Sequence, residues 1–133
     1  MIDPIADVLF SELIRERANW RCEACSRKVS DKGELHCAHF YNRWNLSVRY
    51  NEDNALALCY ECHAKTHAAG GRDMLERLIY KRLGRIRRED LKRASLVLAV
   101  GYVDKRALRA NLRAKIRKLK NDRSTKSGLT GVI

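Results

Sequence analysis

The stretch that decides the fold is residues 22–67, CEACSRKVSDKGELHCAHFYNRWNLSVRYNEDNALALCYECHAKTH. It contains two Cys-x-x-Cys pairs, Cys22/Cys25 and Cys59/Cys62. This spacing lets both sulfurs of a pair turn toward one ion, and four thiolates complete a tetrahedral zinc shell. The 33 residues between the pairs leave room for a β-hairpin. We therefore predict a structural Zn²⁺ site held by these four cysteines.

Paired cysteines also serve as disulfides or as thioredoxin-like redox motifs. The N-terminal residues MIDPIADVLFSELIRER lack the basic and apolar regions of a secretory signal. A cytoplasmic protein is therefore expected, in which the thiols stay reduced. A redox motif needs a surrounding βαβ pattern, and neither pair has one. Cys37, the fifth cysteine, is expected to be a small buried hydrophobe on a strand.

The positive charge of the chain is concentrated behind this stretch. The formal net charge is +12, yet residues 1–71 hold nine Lys/Arg against ten Asp/Glu. Residues 72–133 hold nineteen Lys/Arg against six Asp/Glu. Such a segment attracts polyphosphate by counterion release. An anionic membrane surface is the competing partner, but no apolar stretch approaches the roughly 20 residues of a membrane-spanning helix. Nucleic acid is therefore the expected partner.

Secondary structure in the first half follows from caps and residue content. Asp3-Pro4 is typical of a helix start, and apolar residues at helical spacing predict an amphipathic helix over 4–18. Residues 35–41 are expected to form a strand, and residues 42–53 a loop containing part of a second short strand. A helix is expected from about Tyr60 to Ala69, where glycines stop it.

The second half is predicted to be helical. Apolar stripes indicate helices at about 72–83, 88–101 and 104–120. The middle helix is apolar enough that we expect it to be buried, and Ala94–Val103 is also a candidate dimer surface. The polar, glycine-containing end, residues 121–133, is predicted to be disordered.

Three histidines and an asparagine add chemistry to the cysteine frame. His63 and His67 are four apart on a predicted helix, so they share a face and can hold one ion. His39 lies on the predicted hairpin, where a histidine near neutral pKa suits proton removal from water. Asn54 can orient that base or its local backbone. Each has an ordinary alternative, such as a turn asparagine or a chance pair of surface histidines.

The segment from Cys22 to His67 resembles the HNH endonucleases of the ββα-metal type, in the subgroup braced by a four-cysteine zinc. The resemblance covers about a third of the chain and rests on His39, on Asn54 five residues before Cys59, and on His63 directly after Cys62. It implies that His39 is the general base, that Asn54 is its orienting partner, and that His63 and His67 ligate the catalytic ion. More loosely, the AHF and RYNEDN runs are similar to phage NinG-type recombination nucleases, which would place the protein in a bacterial host cytoplasm.

One position departs from the HNH pattern. Many members carry an Asp or His ligand just before the base, where this chain has Ala38. The ion is then held by His63, His67, waters and phosphate oxygens, or His36 substitutes, because residues 36 and 38 of a strand point to the same side. An ordinary half-exposed strand histidine is the alternative for His36. The divalent metal stays open between Mg²⁺, Mn²⁺ and another transition metal.

Arginines are the expected DNA contacts, because their planar fork suits phosphate. Two lie beside the predicted cut site, with solvated loop charges as the alternative, and four lie on the last helix. They are Arg43, Arg49, Arg106, Arg109, Arg113 and Arg117.

The expected fold is therefore α+β, with a zinc-braced ββα-metal core flanked by an N-terminal helix and a basic helical C-terminal region. Its divisions are residues 1–71 for the nuclease core, 72–120 for DNA binding and dimerisation, and 121–133 for the tail.

The expected function is metal-dependent DNA endonuclease activity on duplex or branched DNA, such as a Holliday junction in phage recombination. A homodimer would supply the second site that a double cut requires. The alternatives are a non-catalytic zinc-knuckle DNA-binding or recombination accessory protein, and an RNA-binding or RNA-cleaving factor.

Overall fold

The computed structural model describes residues 2–98 and 104–130. The fold is α+β and mostly helical, with one small antiparallel sheet and a four-cysteine cluster, in agreement with the coarse prediction. The elements, in chain order, are α1 Pro4–Arg17, β1 Leu35–His39, a 3₁₀ turn Glu52–Asn54, β2 Ala55–Cys59, α2 Tyr60–Thr66, α3 Gly71–Leu96 and α4 Lys105–Thr130.

The two strands form the hairpin that carries the candidate site. β1 pairs antiparallel with β2, so that Leu35 lies opposite Cys59 and His39 lies opposite Ala55. Every residue of β2 is buried, because α1 and α2 both pack against the sheet. The prediction of a strand within residues 42–53 was wrong. That loop is polar and is held in turns by Asn42 and Asn51, whose side chains accept backbone N–H groups.

Helix α1 forms as predicted, since Asp3 caps it through the Ile5 N–H at 3.1 Å and Pro4 fits its first turn. Its apolar face packs into the core through four fully buried side chains, those of Ala6, Phe10, Leu13 and Ile14. Helix α4 lies against α1 and contributes the buried Leu112 and Ile116. The N-terminal helix therefore joins the sheet to the basic C-terminal helix.

Helix α3 is interrupted at Gly84, which lies in the gap predicted between the helices at 72–83 and 88–101. Gly84 has φ 72° and ψ 176°, a conformation accessible essentially only to glycine. Gly71, expected to follow a helix stop, instead begins α3, while α2 ends earlier than predicted at Thr66. A Cβ at Gly71 would lie 2.2 Å from the Lys65 carbonyl oxygen. Only glycine therefore allows the close approach of α3 to α2.

Helix α4 is longer than predicted. We expected it to end near residue 120, followed by a disordered tail, but the helix continues to Thr130, and only residues 131–133 of that tail lie outside the described part. Salt bridges join α4 to residues of the N-terminal half of the chain. Arg109 pairs with buried Asp3, Lys120 with Glu12, and Arg123 with Glu16. Of these pairs only that of Arg123 lies beyond residue 120, and none of the three could be read from the sequence.

The apolar end of α3 is not buried where the structure describes it. Leu96, Val97 and Leu98 are 75%, 64% and 80% exposed, so the predicted burial is wrong for them. The helix ends at Leu96, and the carbonyl oxygens of Ser95 and Val97 on either side of it accept hydrogen bonds from the side chains of Asn45 and Ser47. Residues 99–103, the rest of the candidate dimer surface, lie outside the described part. None of the helices built from the described residues has the length and apolar character required to cross a membrane.

Candidate functional site

The four predicted cysteines meet in one cluster. Their sulfur atoms all lie within 4.8 Å of one another, and the Sγ atoms of Cys25 and Cys59 are 3.9 Å apart. Sulfurs that are each about 2.3 Å from one zinc ion in a tetrahedron lie about 3.8 Å apart. All five cysteines of the chain are free of disulfide bonds. The chemistry and spacing of the donors therefore fit a structural zinc ion, as predicted.

The sulfurs of this cluster differ in their protonation. Burial disfavours the Cys22 thiolate, but backbone hydrogen bonds near Cys59 and Cys25 outweigh this cost and lower its pKa to about 7. Burial, and hydrogen bonding with neighbouring cysteine sulfurs, raise the pKa of Cys62. Cys37 lies apart from the cluster on β1, half-buried, and desolvation raises its thiol pKa to about 11. Cys37 is therefore a strand residue, as expected, and is outside the ligand set.

Glu23, within the first Cys-x-x-Cys pair, ties the cluster to its surroundings. Its Oε2 accepts the Ala57 N–H at 2.7 Å and lies 3.4 Å from Arg17 Nη2. Its Oε1 accepts a hydrogen bond from Arg82 Nη1 at 2.9 Å. One carboxylate thus connects the knuckle to α1, β2 and α3. Sequence reasoning missed this role, because a charged residue between two ligands looks like a solvated spacer.

The predicted ion-holding histidines face each other across one turn. His63 lies on α2 and His67 follows its last residue, and their Nε2 atoms are 3.3 Å apart. Burial, followed by the neighbouring His36 and His67 rings, lowers the pKa of His63. The imidazole of His63 is therefore neutral at pH 7 and carries one free lone pair.

His36 lies on the opposite side of the His63 ring. The Nδ1 atoms of the two side chains are 2.8 Å apart, and His36 Nε2 is 3.1 Å from the Gly33 carbonyl oxygen. Tyr60 packs edge-on against the His36 ring, with centroids 6.0 Å apart. The His63 nitrogen that faces His36 is thus not the one that faces His67. In this arrangement the three imidazoles form a chain and do not converge on a single point.

His39, the predicted base, is held at the end of β1. Its Nε2 is 3.0 Å from the Arg49 carbonyl oxygen, and its ring stacks on Phe10. A carbonyl only accepts hydrogen bonds, so Nε2 carries the proton and Nδ1 keeps the lone pair. Nδ1 is buried and has no partner among the described residues. Burial lowers the pKa of His39, and the Arg43 and Arg49 charges act in the same direction.

Asn54 is fully buried and fastens the loop around His39. Its Oδ1 accepts the Tyr41 N–H at 2.7 Å, and its Nδ2 donates to the carbonyl oxygens of Tyr41 and Val48, each at 3.1 Å. These three bonds join both ends of the loop that carries Arg49. Asn54 therefore fixes the loop backbone next to Arg49, whose carbonyl oxygen contacts His39, and its three hydrogen bonds do not include the imidazole.

Two clefts meet at His39. One, of about 390 Å³, is lined by His39 and His67 together with Thr66 and Arg72. The other, of about 350 Å³, is lined by His39, His36, Cys37 and the cations Arg15, Lys32 and Arg43. Ala38, between the histidines of β1, is buried and offers no ligand atom. His39 thus lies in the wall that the two clefts share, and His67 lies in the wall of the first.

The two arginines predicted near the cut site take different positions. Arg43 is more than half exposed and lines the second cleft, and its guanidinium lies 3.7 Å from a carboxylate oxygen of Asp7. Arg49 is only 5% exposed, and its guanidinium binds both carboxylate oxygens of Asp7, at 2.9 and 2.8 Å. Its burial removes it from the expected phosphate contacts. Asp7, which the sequence presents as an ordinary acid in the first turn of a helix, is therefore a supporting residue of the site.

Of the four arginines of α4 that were predicted to bind DNA, one is paired with a carboxylate and three are exposed. Arg109 is occupied by the carboxylate of Asp3, at 2.7 and 2.9 Å, and holds α4 on α1. This pairing corrects its expected DNA-binding role. Arg106, Arg113 and Arg117 are exposed. Spacings of seven and four place them within one narrow stripe along the helix, about 16 Å long. We call these three residues the α4 arginine stripe.

Comparison of the chain with protein-family models, curated proteins and solved structures found no match.

Proposed function

We propose that this protein is a metal-dependent endonuclease that hydrolyses phosphodiester bonds of DNA, built on a ββα-metal core of the HNH type. The observation that carries the proposal is the 3.3 Å separation of the His63 and His67 Nε2 atoms, beside the cleft that His39 shares with His67. A nitrogen pair of this kind next to a histidine of lowered pKa supplies both an ion site and a base.

The distance between the two nitrogens suits one shared ion. Nitrogens that are each about 2.0–2.1 Å from a metal, at a near-tetrahedral angle, lie about 3.3–3.4 Å apart. His63 and His67 have this spacing without any rearrangement. A divalent ion held there would stabilise charge on the scissile phosphate and on the departing oxygen. Because Ala38 offers no ligand atom, waters and phosphate oxygens would supply the other ligands; imidazoles suit Mn²⁺, Ni²⁺, Co²⁺ or Zn²⁺, whereas an oxygen-rich shell would favour Mg²⁺.

His39 takes the proton of the attacking water in this proposal. Its free nitrogen is Nδ1, which in this proposal becomes accessible to the water when substrate binds, while Nε2 keeps its hydrogen bond to the Arg49 carbonyl oxygen. Catalytic hydrogen bonds commonly form only in the substrate complex. A buried nitrogen without a partner supports this role, because such an atom otherwise only costs stability. Asn54, through its three hydrogen bonds to the loop, keeps the Arg49 carbonyl in place to orient the ring.

The substrate is proposed to be DNA gripped through its backbone. The α4 arginine stripe, together with Arg43 near the cleft, presents guanidinium groups suited to phosphates. Backbone contacts read shape, which makes branched DNA such as a Holliday junction the preferred candidate, as in phage recombination. A single site cuts one strand, so a homodimer would be needed for a paired cut.

The decisive experiment incubates zinc-loaded protein with linear duplex, nicked duplex, four-way-junction and RNA substrates, each with Mg²⁺, Mn²⁺, Co²⁺ or Ni²⁺. We expect cleavage of DNA that requires an added divalent ion and leaves 5′-phosphate ends. His63→Ala with His67→Ala serves as the matched variant, expected to remove cleavage and to keep DNA binding. Intact substrate in every lane, or equal cleavage by the double variant, would contradict the proposal. Cleavage of RNA alone would reassign the substrate.

Neutralising the α4 arginine stripe should weaken DNA binding with a diagnostic salt dependence. Replacing Arg106, Arg113 and Arg117 with serine removes about three phosphate contacts. The negative slope of log K against the logarithm of salt concentration should therefore become shallower by about 2–3. Each phosphate contact on duplex DNA contributes roughly 0.9 to this slope. Fluorescence anisotropy measurements of DNA binding between about 50 and 200 mM salt would check this expectation.

The control for the stripe removes the same charge elsewhere. Arg21, Arg27 and Lys28 are exposed residues around the first cysteine pair. Their replacement with serine should leave the slope within about one unit of the wild-type value. Equal slopes for the two triple variants would mean that net charge, and not the stripe, determines binding.

A non-catalytic zinc-knuckle DNA-binding function is the second candidate. The observation that favours it is the burial of His39 Nδ1, the nitrogen that a general base would have to present to the attacking water. That function keeps the zinc cluster and the stripe but predicts binding without cleavage in every metal. The substrate panel therefore separates the two.

A further inference from the structure

The tightest contact of the histidine chain is one that the proposed ion site does not use. His36 Nδ1 and His63 Nδ1 are 2.8 Å apart, on the side of the His63 ring away from His67. A distance of 2.8 Å between two ring nitrogens requires a shared proton, so one imidazole donates and the other accepts. Which ring donates decides which lone pair of His63 is free.

The Gly33 carbonyl settles the direction of this hydrogen bond. It lies 3.1 Å from His36 Nε2 and can only accept, so Nε2 carries the proton of a neutral His36. His36 Nδ1 is then an acceptor, and His63 Nδ1–H is its donor. The remaining nitrogen of His63, Nε2, has a free lone pair and faces His67 Nε2 at 3.3 Å. A fixed protonation pattern therefore runs from a backbone carbonyl to the proposed ion site.

The surroundings hold this chain in place. The turn that presents Gly33 is closed by Asp31, whose Oδ1 accepts the Gly33 N–H at 2.8 Å and whose carbonyl accepts the Glu34 N–H at 2.9 Å. The His36 ring is packed edge-on by Tyr60, which begins α2. The His36 imidazole is thus positioned by the Gly33 carbonyl at one end, by the His63 ring at the other and by the Tyr60 ring at its side.

We infer that His36 is a positioning residue that holds His63 in the Nδ1–H tautomer and so directs the His63 Nε2 lone pair toward the ion shared with His67. The inference rests on the proposed function, in which His63 and His67 hold that ion. It replaces the direct-ligand role that the sequence suggested for His36. Ligating histidines almost always donate their second ring N–H to a neighbour, and loss of such a neighbour typically lowers metal affinity 10–100-fold.

The first test reads the tautomer without any catalytic metal. Long-range ¹H–¹⁵N spectra of zinc-loaded protein, recorded near neutral pH, distinguish protonated from free ring nitrogens. We expect His63 to carry its proton on Nδ1 in the wild type and to change to Nε2–H in His36→Leu, which offers no acceptor. A wild-type His63 protonated on Nε2 would overturn the inference, whatever the behaviour of the variants.

The second test measures Ni²⁺ affinity of the zinc-loaded protein by calorimetry. His36→Leu should bind about 10–100-fold more weakly than wild type. His36→Gln, whose amide oxygen can still accept from His63, should recover most of the affinity. Cys37→Ala, the control from the same strand, should bind like wild type.

Three outcomes separate the possibilities. Wild-type affinity in His36→Leu overturns the positioning role and leaves the proposed function standing. Equal losses in His36→Gln and His63→Ala would make His36 a direct ligand, which also overturns it. A wild type with no Ni²⁺ site dependent on His63 overturns both the inference and the ion site of the proposed function.

Discussion

Replacing His39 with alanine should lower kcat for DNA cleavage by about 10²–10⁴-fold, the usual contribution of a general base. DNA affinity and binding of the divalent ion should stay near the wild-type values, because the ion is proposed to lie on His63 and His67. Single-turnover cleavage with saturating protein measures this loss directly, and calorimetry with the same protein confirms the ion site.

The pH dependence of cleavage gives an independent signature of His39. Burial lowers its pKa from the ordinary 6.5, and the base acts in its neutral form. Activity should therefore be retained at pH 6.5 and decline only on further acidification, as the proton binds. The same shift makes the folded protein lose stability as pH falls below 6.5, since the unfolded chain then binds that proton more readily.

The control for His39 is a variant that disturbs the same strand without removing a base. Cys37→Ala alters a half-buried neighbour that faces the same cleft. Its kcat should remain within a few-fold of wild type. Equal rates for His39→Ala and wild type, or equal losses in both variants, would remove His39 from the chemistry and favour the non-catalytic function.

Local spacing made the cysteine frame and α1 predictable. Four thiols in two Cys-x-x-Cys pairs encode a tetrahedral geometry, and the Asp3-Pro4 start encodes a helix cap. The helix break in α3 was predictable for the same reason, because Gly84 supplies a conformation that other residues avoid. Each of these features is determined by residues close together in the chain.

The supporting contacts of the site were not predictable, because they join distant positions. Arg49 meets Asp7 across 42 residues, and Arg109 meets Asp3 across 106. A sequence presents all such arginines as equivalent surface cations, and only the fold shows which carboxylate each one reaches. His36 illustrates the same limit, since its proximity to His63 depends on how the hairpin packs on α2.

These pairings also change the meaning of the charge asymmetry. The near-neutral first half supplies the carboxylates that pair with some cations of the basic second half. Its carboxylates Asp3, Glu12, Glu16 and Glu52 bind one side of α4. The three residues of the α4 arginine stripe are not among these paired cations. The four acids, two of which lie on α1, therefore fix how α4 carries the proposed DNA-binding surface against the N-terminal half.

Removing one ligand of the cysteine cluster should have the largest effect on stability. Cys59→Ala is expected to abolish stoichiometric zinc binding, because three thiolates and no fourth donor leave the shell open. Structural zinc contributes an apparent 10–16 kcal/mol, about as much as or more than the 5–15 kcal/mol stability of a typical domain. Cys59 ends β2 and caps α2, so its loss should unfold the hairpin and separate His39 from His63 and His67.

Cys37→Ala is the matched control for this prediction, since it removes a cysteine of β1 that lies outside the cluster. Cys37→Ala should retain one zinc ion per chain and nearly wild-type thermal unfolding. By contrast, Cys59→Ala should lose zinc and cooperative unfolding together, and so should wild type treated with a strong chelator. Elemental analysis and circular dichroism measure the two properties on the same samples. If Cys59→Ala keeps cooperative unfolding without zinc, packing of α1 on the sheet, and not the metal, stabilises the hairpin. If Cys59→Ala retains zinc, the ion is bound elsewhere.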